Sequence, residues 1–104
     1  MIIPKASFLN TTFKKNKYEL RHAIHAEKLK LKSEIVNALR APKNHKLGSL
    51  SFLLSIDDYP LACQKIDESI VSEITEQLLN AGYHIELFYN KNNEIRILVD
   101  WRTL

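Results

Sequence analysis

The chain has 104 residues, 45% hydrophobic and 26% charged, and a formal net charge of +3. That is long enough for one domain with one core and too apolar for a disordered segment. Its one cysteine, Cys63, excludes a disulfide scaffold, and no apolar run nears the about 18 residues of a membrane span.

The net charge conceals a split. Residues 1–48 hold eleven Lys or Arg against three Asp or Glu, and residues 49–104 hold four against nine. A basic half joined to an acidic half invites an anionic partner, a second copy, or pairing between its own halves.

Residues 1–15 read as an arm. Ile2, Ile3, Phe8, Leu9 and Phe13 are apolar without a sustained period, and Pro4 fixes the backbone early. Met1-Ile2-Ile3-Pro4-Lys5 lacks a charged leader followed by an apolar stretch. With the single cysteine, this points to an intracellular protein.

Residues 16–41 predict a long basic helix. Asn16 and Glu19 match a capping box, and Pro42 stops the helix at Ala41. Leu20, Ile24, Leu31, Ile35, Ala38 and Leu39 share one face, with Tyr18, Leu29 and Val36 beside it. At about 1.5 Å per residue the helix outreaches the core of so small a domain, so one end should project.

Residues 42–49 form a polar link. Leu50, Phe52, Leu54 and Ile56 then alternate with Ser51, Leu53 and Ser55, the pattern of a half-buried strand. A second helix begins between Pro60 and Asp67. Its stripe is Ile66, Ile70, Ile74 and Leu78, its outer face is acidic, and Gly82 closes it.

The chain closes with a hairpin. Tyr83, Ile85, Leu87 and Tyr89 alternate with His84, Glu86 and Phe88, and Ile95, Ile97, Val99 and Trp101 alternate with Arg96, Leu98 and Asp100. Matching the faces pairs Leu87 with Ile97, Ile85 with Val99 and Tyr83 with Trp101. The loop is then Lys91–Asn93 with Asn93 left-handed. On the other face His84 meets Asp100 as a charge pair, and Phe88 meets Arg96 as a cation–π pair. The fold class is α+β: arm and long helix, then strand, helix and β-hairpin in a small three-stranded sheet. The orientation of the first strand is left open.

Catalytic signatures do not emerge. Two glycines cannot build a phosphate loop. Cys63 has no nucleophile motif around it and reads as a small buried hydrophobe. Glu19, His22 and His25 form a row on one helix side, but no closing ligand lies nearby. The expectation is no enzyme, no cofactor and no metal.

The basic segment carries the binding expectation. Lys14, Lys15, Lys17, Arg21, Lys28 and Lys32 supply attraction, and Phe8 and Phe13 supply anchors. The expected partner is another protein, through an acidic surface or as a second copy, in an oligomer or complex. Membrane is not expected. Nucleic acid is the alternative, through phosphate attraction alone, because lysine dominates and arginine is scarce.

Leu78, Gly82 and Tyr83, followed by Ile95, Ile97, Val99 and Trp101, form a helix-plus-hairpin pattern over about 40 residues. This pattern resembles short proteins common in tailed-phage genomes. The resemblance implies a virion component or a factor that binds a host protein, located in host cytoplasm or packed into a virion. It assigns no functional residue.

Overall fold

A computed structural model describes Ile3 and residues 5–102, with the side chains of residues 8–15 excepted. Its elements run α1 (Ala6–Arg40), α2 (Pro42–His45), β1 (Ser49–Leu54), α3 (Pro60–Cys63), α4 (Ser69–Asn80), β2 (His84–Tyr89) and β3 (Ile95–Asp100). The class is α+β, as expected. The sheet is antiparallel throughout, in the order β1-β3-β2.

The hairpin register matches the expectation. Ile85 faces Val99, Leu87 faces Ile97 and Phe88 faces Arg96. Asn93 turns left-handed at φ 57°. The Asn90 side chain holds the loop by accepting the backbone N–H groups of Asn92 and Glu94. The open question of β1 resolves as antiparallel: Leu50 faces Val99 and Phe52 faces Ile97. β3 takes the centre, and its Ile95, Ile97 and Val99 are all buried.

α1 and α4 cover one face of this sheet. Leu31 and Ile35 from α1 join Ile70, Val71, Ile74 and Leu78 from α4 in the core, with Leu54, Tyr59 and Cys63. Two expectations for the helices are corrected. α1 begins at Ala6, so the backbone over residues 6–15 is helix instead of an arm. No glycine or proline lies between Lys5 and Ala41 to stop it. Asn16 is therefore an interior helix residue and caps nothing. Leu20 is 42% exposed, outside the core it was assigned to.

The second correction concerns α4. It begins at Ser69, and Ile66 lies before it, half exposed. Asp67 accepts the backbone N–H and the hydroxyl of Ser69, which sets the helix start beyond Ile66. Lys65 just upstream is left-handed at φ 58°.

At the far end the C-terminal residues close over the α2–β1 link. The Trp101 backbone N–H donates to the Gly48 carbonyl at 2.9 Å, and its indole N–H donates to His45. Gly48 has φ +80°, and a Cβ there would strike the side chain of Arg102. Tyr83 and Trp101 meet edge-on with centroids 6.3 Å apart.

Candidate functional site

α1 has two halves with different surroundings. Its C-terminal half is seated: Leu31 and Ile35 are fully buried and Ile24 is half-buried. Every residue from Asn16 to Ala23 is exposed. At about 1.5 Å per residue, residues 6–23 carry the helix about 27 Å beyond Ile24. The molecule accordingly measures 67 × 26 × 21 Å.

The outer half displays apolar and cationic groups together. Tyr18 is 64% exposed and stacks edge-on against His22. Lys17 and Arg21 are exposed beside Leu20. Phe8, Phe13, Lys14 and Lys15, also expected to bind a partner, have side chains outside the described residues.

Other basic residues turn inward to the acidic half. Lys28 pairs with Glu73 of α4 at 3.2 Å. Lys30 donates to the Asp58 carbonyl and lies 4.6 Å over the Tyr59 ring. Lys32 stays exposed and lines a shallow groove between α1 and α4, with Leu29 and Glu73. The expected partner-binding cations therefore divide. Lys17 and Arg21 stand on the outer half of the helix, whereas Lys28 is engaged within the fold.

His84 and Asp100 face each other across the hairpin, as expected, but each makes its ion pair elsewhere. His84 meets Glu86 at 3.2 Å, and Asp100 binds Arg102 at 2.7 Å. The Arg102 hydrogen bonds hold the Asp100 carboxyl down at about 2. Among the described residues, the cations over aromatic rings are Lys30 on Tyr59 and Lys65 on Tyr89, not Arg96 on Phe88.

A second surface escaped the sequence reading. A cleft of about 570 Å³ opens between α4 and the hairpin. Buried Val71 and Ile95 and half-buried Leu87 form its floor, and Leu79 and Tyr89 stand exposed at its sides. Glu68 and Glu76 rim it, exposed. Leu79 gave the one available hint, as a leucine outside the α4 core stripe.

Cys63 is buried, and its thiol donates to the Leu54 carbonyl. Burial first, then the charge of Glu27, pushes that thiol up, away from the nucleophilic thiolate. Among the described residues no cluster of three His, Cys, Asp or Glu could hold a metal ion, and no helix is long and apolar enough to cross a membrane.

No protein family, curated protein or solved structure matches this chain.

Proposed function

We propose that this protein is a non-enzymatic protein-binding module whose docking element is the outer half of α1. The supporting observation is the overhang itself. A helix is stabilised mainly by packing its apolar face, and this one runs on past Ile24, the outermost of its described residues packed on the core. It carries exposed Tyr18 and Leu20 with Lys17 and Arg21. At 100° per residue Lys17 and Arg21 share one face, and Leu20 and Tyr18 flank it on either side, so a cationic stripe between two apolar groups suits an acidic-rimmed groove. Lysine and arginine speed the encounter, and the aromatic and aliphatic groups hold the complex. By its resemblance to short tailed-phage proteins, the module belongs in a virion assembly or acts on a host protein.

The test is affinity capture with the full chain and with Y18S/L20S/R21S. All three side chains are exposed, so both forms should melt at the same temperature. The wild type should retain proteins, from nuclease-treated extract of the native source, that the variant does not. Identical retained sets would overturn the reading. Retention that disappears on nuclease treatment would favour the alternative, a nucleic-acid-binding accessory protein.

A further inference from the structure

We propose that the cleft between α4 and the hairpin receives the outer half of α1 from a second copy of this chain. The inference rests on the reading of that helix as a docking element and names its partner.

The two surfaces are complementary in charge. Residues 5–23 carry five basic residues and one acidic one. The cleft is lined by Glu68 and Glu76, both exposed, against one cation, Lys65, whose ammonium lies 5.6 Å over the Tyr89 ring. Asp67 also lines it, but Ser69 already occupies its carboxylate. The surfaces also match in apolar content. Leu20 and Tyr18 are exposed on the helix, and Leu79 and Tyr89 are 53% and 58% exposed at the cleft. Tyr18 meets only the edge of His22 among the described ring contacts and Tyr89 only Lys65, and all four side chains stay exposed.

The helix entering the cleft must come from another molecule. α4 turns Ile70, Glu73, Ile74 and Gln77 toward the groove it shares with α1. It turns Val71, Thr75, Glu76 and Leu79 toward the cleft. At 100° per residue these two sets lie on opposite sides of α4. α1 is one uninterrupted helix seated on the first side, and among the described residues none of α1 lines the cleft. It cannot double back around α4. The contact is therefore head-to-tail: each copy offers a helix and a cleft that are different surfaces. Such contacts propagate into rings or filaments instead of stopping at a dimer.

Charge-swap sedimentation tests this on the full-length protein. The overhang variant is K17E/R21E, and the cleft variant is E68K/E76K. All four positions are exposed, and circular dichroism melts would verify the fold of each. Wild type should grow past the dimer with concentration. Each variant alone should associate at least about tenfold more weakly, because like charges now oppose each other. An equimolar mixture should recover association, since each variant's helix then meets a cleft of opposite sign.

Three results would overturn the proposal: a wild type monomeric at every concentration, variants that associate like wild type, or a mixture that fails to recover. The failures are distinguishable. A monomeric wild type whose E68K/E76K form still captures the overhang-dependent proteins sinks the self-association and leaves the docking helix standing. An overhang whose alteration changes neither assembly nor capture removes both.

Discussion

The carboxylate of Glu27 accepts the backbone N–H of Ala62 at 3.2 Å, across 35 residues of chain. Its other oxygen accepts the N–H of Leu61 at 3.0 Å. These are first-turn donors of α3, whose own N-cap residue, Tyr59, makes no side-chain cap. A charged residue of the long helix thus completes a short helix elsewhere and stays only 8% exposed. Glu27→Ala should leave both donors buried and unpaired, at a cost of about 2–4 kcal/mol. Glu27→Gln keeps one amide oxygen in place and should cost about half as much. Urea denaturation midpoints read both. Equal stability of all three forms would remove Glu27 from the architecture.

Asp100 gives the acid limb of stability a specific source. Its folded carboxyl sits at about 2 against an ordinary 3.8, held down chiefly by hydrogen bonds from Arg102. A depressed carboxylate stabilises the fold above its unfolded value and loses that contribution as pH falls toward its folded value. Asp100→Asn should therefore melt below wild type at pH 7. The gap should begin to shrink below about pH 4 and close near pH 2. A gap independent of pH would show that Asp100 acts through packing. Melting curves between pH 2 and 7 decide.

The centre of β3 should be the most sensitive part of the sheet. Ile97 is fully buried between Phe52 and Leu87 on neighbouring strands. Ile97→Ala should cost roughly 2–5 kcal/mol. Leu53 lies on the opposite face of β1 and is 53% exposed, so Leu53→Ala should stay within about 0.5 kcal/mol. Denaturant midpoints for the pair check the assignment of faces, and comparable losses would contradict it.

Much of the C-terminal part was legible in the sequence because its signals are local. Alternation set the faces of the hairpin, and joining like faces with a loop at Lys91–Asn93 gives the register in which Ile85 meets Val99. The four-residue recurrence of Ile70, Ile74 and Leu78 found α4, and Asn93 found the left-handed turn. What stayed hidden depends on distant partners. Glu27 carries a charge and reads as solvated until Leu61 and Ala62 arrive from another element. The capping pair Asn16 and Glu19 carries the same signal whether it starts a helix or lies within one. Nothing local in β1 says which edge of β3 it will take. Of the cleft only Leu79, outside the α4 stripe, left a local trace, since the cleft is made where Leu79 and Tyr89 come together from separate elements.

α1 is one ladder of backbone hydrogen bonds with two environments. Around Leu31 and Ile35, opening the ladder means opening the core, so amide exchange there must approach the global unfolding rate. From Ala23 out to Asn16 every residue is exposed, so the bonds there can fray without opening the core. The helix should therefore show a gradient of deuterium uptake and of protease sensitivity, steep near Ile24. Whatever seizes the outer half must supply the ordering that the domain does not, and part of its binding energy goes into stiffening the helix. Its arrival would be visible as slowed exchange at amides beyond the core, with those beside Leu31 unchanged.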